Sequence, residues 1–182
     1  MLCFAKVLGS TNANVESETI AALDRRVVGF DGSLAGVLLP FAVHEDKVGN
    51  PPSIGLIINI YPNRPNETDP FVPGNFGLLD LTGGSGSPGR ATIRSWIESG
   101  YPGIFELLPS GCTPVEGTPG LDNSLRDSVA MRIGETVLVL VHNGVSGTGS
   151  NAVYSVVSLL AVKIVGVFGS GGNLQIIVQI SQ

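Results

Sequence analysis

The segments TVLVLVH (Thr136–His142), AVYSVVSLLAVKIVGVF (Ala152–Phe168) and LQIIVQI (Leu174–Ile180) decide the fold class. Each is an apolar run rich in β-branched residues, and glycine-rich stretches at 144–149 and 169–172 separate them. Branched side chains between such turn residues are typical of buried strands. We therefore expect the C-terminal part of the chain to consist of β-strands.

The same pattern extends towards the N-terminus. It predicts buried strands at Leu34–Val43, Ile54–Tyr61 and Phe76–Leu81, and a half-exposed strand at Ala13–Ala21, where polar and small residues alternate. Proline- and glycine-rich linkers lie at 62–74 and 83–89. None is long enough to suggest a tether between two compact domains.

Two segments have helical periodicity instead. Residues 91–99 end at Gly100, and residues 121–133 begin near Asp122 and end before Gly134. Glycine suits the end of a helix because it accepts a left-handed conformation, and a carboxylate suits the free amides at the start. Their apolar positions are Ile93, Trp96 and Ile97 in the first helix and Leu125, Val129 and Ile133 in the second.

These elements predict a mainly β fold: one mainly antiparallel β-domain, either a barrel or a sandwich, with two short helices at about 91–99 and 121–133. The sequence does not distinguish a closed barrel from a sandwich. We assign residues 27–182 to this domain, and residues 1–26 to an N-terminal segment that could be the remnant of an upstream region.

The charge content narrows the function classes. Only 14% of the 182 residues are charged, against roughly 25% in ordinary soluble domains, and the net charge is −5. Ten cationic side chains scattered along an acidic chain do not form a nucleic-acid interface. A surface of Gly, Ser, Thr and Asn favours an exported or assembled protein. No apolar stretch reaches the roughly 18–20 residues of a membrane helix.

The glycine-rich stretch Gly84–Ala91 lies between a predicted strand and a predicted helix, as a phosphate-binding loop does. Arg90 and Ala91 stand where that loop needs Lys and then Ser or Thr, and Pro88 removes a backbone amide. We therefore interpret this stretch as a turn that leads into a helix, and expect no nucleotide cofactor.

The sequence predicts no metal site and no catalytic site. His44 and His142 lack the neighbouring ligands that zinc requires, and both are expected at strand ends. The acidic residues do not follow the spacing of a calcium loop, and no Gly-x-Ser-x-Gly elbow supports a catalytic triad. The acidic residues considered are Glu67, Asp69, Asp80 and Asp122.

Cys3 and Cys112 are the only cysteines. In an exported protein they could form a disulfide, whose closed loop would add on the order of 4 kcal/mol of stability. If they stay reduced, Cys3 is a small core residue and Cys112 a loop thiol. Asn66-Glu67-Thr68 matches the glycosylation pattern, which has meaning only in a eukaryotic secretory context.

The central motifs resemble the C-terminal region of bacterial TadE/TadG-like proteins, which are associated with tight-adherence (Flp-type) pilus assembly. The residues that carry the resemblance are Pro73–Leu81, Gly83–Gly86, Ile93–Tyr101, Thr118–Gly120 and Arg132–Val141, with Phe4–Gly9 similar to the end of the family's upstream segment. The resemblance covers about residues 70–143 well. It implies an envelope or exported protein, usually anchored by an N-terminal membrane helix that this sequence lacks. The motifs carry no catalytic residues.

Our leading hypothesis is a non-enzymatic structural component of the bacterial envelope or surface, located in the periplasm, on the cell surface or outside the cell. It would act through contacts with protein partners or with copies of itself, by pairing of strand edges. The alternative is an extracellular ligand- or carbohydrate-binding module that uses the loops Pro62–Gly74 and Gly144–Gly149. An enzyme is the least favoured class.

Overall fold

The computed structural model describes residues 29–30, 36–61, 77–84, 88–118, 123–148, 151–170 and 174–181. The strands are β1 (Gly29–Phe30), β2 (Leu38–His44), β3 (Ile57–Tyr61), β4 (Phe105–Glu106), β5 (Thr113–Glu116), β6 (Thr136–Ser146), β7 (Val153–Phe168) and β8 (Gln175–Ile180). The helices are α1 (Glu45–Val48), α2 (Arg90–Ser99) and α3 (Asn123–Ala130). The mainly β fold is confirmed.

The main sheet has the strand order β2-β6-β7-β8-β3, and β5 also pairs with β7. Its pairs are antiparallel except β2 with β6, which run parallel from Leu38 opposite Leu138 to His44 opposite His142. The short strands β1 and β4 form a separate antiparallel pair. The predicted antiparallel sheet is therefore confirmed, with one parallel pair in it.

The long strand β7 pairs with three other strands. The edge of β7 that faces away from β6 pairs with β5 at Val153–Val156 and with β8 at Val162–Phe168. The short segment 77–80 bridges β2 and the end of β5: Ala42 N donates to Gly77 O (2.8 Å), and Thr118 N donates to Leu78 O (2.8 Å). The sheet does not close into a barrel, so the sandwich-like alternative is the one that the structure has.

The helices complete the core. Helix α2 contacts β2 and α3, and α3 contacts β7. The three apolar positions predicted for α2 are buried, as are Leu125 and Val129 of α3. The prediction was wrong for Ile133, which is exposed because α3 ends at Ala130 and the chain turns before β6. Helix α1, β4 and β5 were not predicted.

Two predicted strands differ from the structure. The run at 54–61 is a strand only from Ile57, and its first part is exposed rather than buried. In the described part of the run at 76–81, from Gly77 onwards, Leu78 and Leu79 form isolated bridges and no longer strand. The extended chain ends there because the Asp80 carboxylate accepts hydrogen bonds from the amide and the hydroxyl of Thr82, which forms a turn.

Other predicted strands end at slightly different residues. Strand β6 extends beyond the predicted end at His142 to Ser146, so the predicted loop at 144–149 begins as a strand. The segment Ala13–Ala21 and the domain boundary at residue 26 lie outside the described residues. Within the described ranges, every helix is too short or too polar to cross a lipid bilayer.

Candidate interaction surface

Strand β3 lies at the end of the main sheet, and β8 is the one strand that pairs with it in the described part of the chain. The pairing begins where Gly55 N donates to Ile180 O and Ile180 N donates to Leu56 O, both at 2.9 Å. It continues with Ile58 opposite Val178. Strand β3 is thus the last strand of this sheet in the described part of the chain, and it also contacts β2.

The alternation of antiparallel pairing identifies which backbone groups face that edge. Successive residues direct their amide and carbonyl groups to opposite sides of a strand. Because Leu56 bonds to β8, Ile58 also faces β8, and the groups of Ile57 and Asn59 point the other way.

The side chains at this edge are apolar and exposed. The exposed fractions are 53% for Ile54, 41% for Leu56 and 58% for Ile57. We define the β3 edge as residues 54–59. Exposed isoleucines are unremarkable when scattered, but here three exposed apolar side chains lie on one short segment at the end of the sheet.

The β3 edge itself carries no charge, although α1, just before it in the chain, contains Glu45, Asp46 and Lys47. Residues 49–61 contain no Asp, Glu, Lys or Arg, and neither do residues 164–182, which include β8. Across the sheet, Ile57 of β3 lies opposite Gln179 of β8, and Gln179 lies opposite Lys163 of β7. Lys163 is the nearest charged residue along this path. Natural edge strands are commonly protected by lysine or proline. Neither residue occurs within β3.

A bulge limits the length of this edge. The register between β3 and β8 shifts between Asn59 and Tyr61, and the Asn59 side chain accepts a hydrogen bond from the Tyr61 amide (3.1 Å). Tyr61 itself is buried. The accessible part of the edge thus ends at Asn59.

The two histidines are brought together, although the sequence did not predict it. His44 and His142 are both buried, and they lie opposite each other on β2 and β6 with ring centroids 5.0 Å apart. The Tyr154 ring packs edge-on against His142 at 4.9 Å. His44 Nδ1 accepts a hydrogen bond from the Asp46 amide (3.3 Å) and so caps α1. This cluster joins β2, β6 and β7 inside the core.

Burial raises the pKa of Tyr154 to about 12, although a hydrogen bond with the Gly77 backbone acts in the opposite direction. The phenol is therefore neutral over the ordinary pH range.

Within the described residues, no three His, Cys, Asp or Glu side chains gather as metal ligands. The rings of His44, His142 and Tyr154 pack edge-on against one another in the core.

Asp80 is a second buried polar group, with an exposed fraction of 3%. Its Oδ1 accepts hydrogen bonds from the amide (2.8 Å) and the hydroxyl (2.6 Å) of Thr82, whereas Oδ2 has no donor among the described residues. Nearby, the Tyr101 hydroxyl donates to Leu81 O at 2.6 Å. Burial raises the pKa of Tyr101, and the negative charge of Asp80 raises it further.

The remaining predicted sites fall partly outside the described residues. Cys112 is half-buried beside β5 and has no disulfide partner in the described ranges, while Cys3 lies outside them, so their pairing stays a prediction. Also outside are Asn66, Glu67, Thr68, Asp69 and Asp122, together with residues 85–87 of the glycine-rich stretch. At the end of that stretch, α2 starts after Gly89, and Arg90 is its first residue.

The carbohydrate-binding alternative depends on exposed aromatic residues. Trp96 has an exposed fraction of 5% and packs edge-on against Tyr101, with ring centroids 5.1 Å apart. The predicted position of Trp96 in the core is therefore correct. Of the two loops assigned to sugar binding, Pro62–Gly74 lies outside the described residues, and Gly144–Ser146 belongs to β6.

Comparison with known proteins adds no identification. No protein-family model matches the chain, and neither the curated proteins nor the solved structures include a match. The functional interpretation therefore depends on the surface described above and on the resemblance in the central motifs.

Proposed function

We propose that this protein is a non-enzymatic structural component of the bacterial envelope or surface, which acts through contacts with protein partners or with copies of itself at the β3 edge. The observation that carries the proposal is the exposed, uncharged edge strand with outward backbone groups at Ile57 and Asn59. An open sheet edge binds another strand through main-chain hydrogen bonds, and neighbouring side chains select the partner.

The exposed side chains favour binding over simple solvation of the edge. An apolar side chain removed from water contributes about 25 cal/mol for each Å² that is covered. Ile54, Leu56 and Ile57 each expose more than 40% of their area, so a partner strand would cover apolar surface while it satisfies the backbone. Both contributions act at the same place.

The structural role is supported by what the buried polar side chains do. Arg132 and Tyr101 bond to backbone carbonyls, and Asp80 forms a turn with Thr82. Such groups hold segments of the fold in position. The location in the envelope or at the surface is supported by the low charge content of 14% and by the resemblance to TadE/TadG-like proteins.

Site-specific photo-crosslinking in bacteria that produce the full chain tests the proposal. A benzophenone amino acid replaces Ile57 in one variant and Ile104 in the matched control. Ile104 is also a strongly exposed isoleucine, at 68%, and directly precedes β4, which pairs with β1. We expect a discrete protein adduct from position 57 in the envelope or secreted fraction, and a much weaker one from position 104. Equal adducts at both positions, or none at 57, would overturn the proposed function.

A further inference from the structure

We infer that Asp80 and Glu116 form a binding site for a divalent cation, and that calcium is the ion that fits their chemistry best. Two observations carry this inference. The two carboxylates lie opposite each other on neighbouring extended segments, and one oxygen of Asp80 is buried without a donor in the described part of the chain. The site includes none of residues 54–59, so it is independent of the proposed function.

The backbone places the two carboxylates opposite each other. Leu79 and Gly117 form an isolated antiparallel bridge between segment 77–80 and the end of β5. One residue further along each segment, Asp80 N donates a hydrogen bond to Glu116 O at 2.8 Å. Residues directly opposite in an antiparallel pair direct their side chains to the same face, with Cβ atoms about 4.5–5.5 Å apart. The carboxylates of Asp80 and Glu116 are therefore cross-strand neighbours.

Both carboxylates lie at the turn that follows Asp80. Asp80 Oδ1 accepts hydrogen bonds from the amide (2.8 Å) and the hydroxyl (2.6 Å) of Thr82. Glu116 Oε1 lies beside the same turn, since a Cβ added at Gly84 would be 3.7 Å from it. Gly83 and Gly84 are both exposed, with φ of +70° and +84°. A small exposed turn gives an ion from solvent a path to the two side chains.

The charges at this place call for a cation. Asp80 is buried, with an exposed fraction of 3%, and its Oδ2 has no donor among the described residues. A buried carboxylate oxygen without a donor or a counter-charge is unfavourable, and like charges directly opposite destabilise a strand pair. Within the described ranges, neither Asp80 nor Glu116 takes part in an ion pair. A divalent cation bound by both would compensate the desolvation and the repulsion together.

The donor set favours calcium over magnesium. Ca²⁺ accepts about six to eight oxygen ligands in a flexible geometry, whereas Mg²⁺ requires a nearly ideal octahedron and loses its water reluctantly. Asp80 offers Oδ2 because Thr82 holds Oδ1 in place, Glu116 offers one or both of its oxygens, and water supplies the other ligands. Because the protein provides so few ligands, we expect a dissociation constant of about 0.1–1 mM, which is the range of extracellular calcium modules.

Calorimetric titration of the chelator-treated full chain with CaCl₂ tests the inference. Glu116→Gln keeps the shape of the side chain but removes its charge, and should raise the dissociation constant at least about tenfold. The matched control is Glu106→Gln, which changes an exposed glutamate on β4 and should bind as the wild type does. MgCl₂ should bind the wild type at least about fivefold more weakly than CaCl₂.

Urea unfolding distinguishes an ion site from a merely structural carboxylate. With free Ca²⁺ at about ten times the dissociation constant, the equilibrium constant of unfolding of the wild type should fall about elevenfold. Asp80→Asn keeps an oxygen for Thr82 but removes the charge, and should lose this response to calcium. Retention of the full response in Asp80→Asn would assign Asp80 to the turn alone and overturn the inference.

Two further results would also overturn it. One is the absence of both heat and stabilisation at about 10 mM Ca²⁺, which is well above the expected dissociation constant. The other is an equal effect of CaCl₂ and of NaCl at the same ionic strength, which would show that the ions only screen the acidic chain. Neither result bears on crosslinking at position 57, so the proposed function and the cation site can fail separately.

Discussion

The guanidinium of Arg132 donates a hydrogen bond to the carbonyl of Gly36, 96 residues earlier in the chain. The same side chain donates to Ile97 O at 2.8 Å and to Glu98 O at 3.3 Å, at the C-terminal end of α2. Its Nε pairs with the Glu135 carboxylate. A single buried cation therefore joins the entry to β2, the end of α2 and the turn before β6.

Replacement of Arg132 should destabilise the fold. Lysine has no planar fork and cannot satisfy this set of acceptors, so Arg132→Lys should lower the free energy of unfolding by about 2–4 kcal/mol. The control is Arg126→Lys: Arg126 is 38% exposed and pairs with exposed Asp127, so a change below about 1 kcal/mol is expected. Urea unfolding followed by Trp96 fluorescence measures both. Equal stability of the two variants would show that the Arg132 contacts contribute little.

Gly100 should be intolerant of any side chain. It has φ of +77°, and a Cβ there would lie 2.6 Å from the Gly36 backbone. Gly100→Ala should therefore force α2 away from the start of β2. The matched control is Gly83→Ala, where φ is +70° but no atom of the described residues lies within 4 Å. We expect Gly100→Ala to cost at least about 2 kcal/mol more than Gly83→Ala in urea unfolding. A similar cost for both would mean that backbone strain, not the close approach, determines the effect.

Alkaline pH should weaken the fold through Tyr154. Its pKa is about 12 in the folded protein and near 10 in the unfolded chain, so the unfolded state loses this proton first as the pH rises. The raised pKa of Tyr154 contributes roughly 2–3 kcal/mol to the free energy of unfolding below about pH 10. This contribution is lost between about pH 10 and 12. Urea unfolding at about pH 9 and about pH 11.5 measures it. Tyr154→Phe, which cannot ionise, should show a smaller decrease over that interval; an equal decrease would place the effect elsewhere.

The pKa of Tyr101 should report the charge of Asp80. Burial is the larger cause of its raised pKa and Asp80 the smaller one. Asp80→Asn keeps a carbonyl oxygen for Thr82 but removes the charge. The pKa of Tyr101 should then fall part of the way towards 10, as measured by absorbance of the phenolate. Asp127→Asn, which changes an exposed carboxylate on α3, is the control. No shift in Asp80→Asn would mean that the two groups do not interact.

The strand positions could be predicted because runs of β-branched apolar residues favour strands through the local sequence alone. Leu174–Ile180 and Ala152–Phe168 correspond closely to β8 and β7. The short strand β5 was missed because Thr113–Glu116 contains proline and exposed polar residues, and it is held by its pairing with β7. Likewise Ile133 has the periodicity of α3, but the turn that Arg132 stabilises ends the helix earlier.

The interaction surface was predictable only in part. Apolar content marks the segment at 54–61 as a strand, but an edge strand and a central strand have the same composition when neither carries charge. The sequence interpretation therefore placed Ile57 inside. The histidine cluster was not predictable either, since His44 and His142 are distant in sequence and meet through the parallel pairing of β2 with β6.

Composition and local pattern alone determined that this chain forms strands, that it has two main helices, and that its surface is poor in charge. These properties depend on each residue and its near neighbours, as backbone preferences and net charge do. Only the tertiary structure decided the strand order, the sandwich-like closure and the exposure of β3, because these depend on which distant strands pair. Whether the side chain of Ile57 is buried or exposed depends on its neighbours in space.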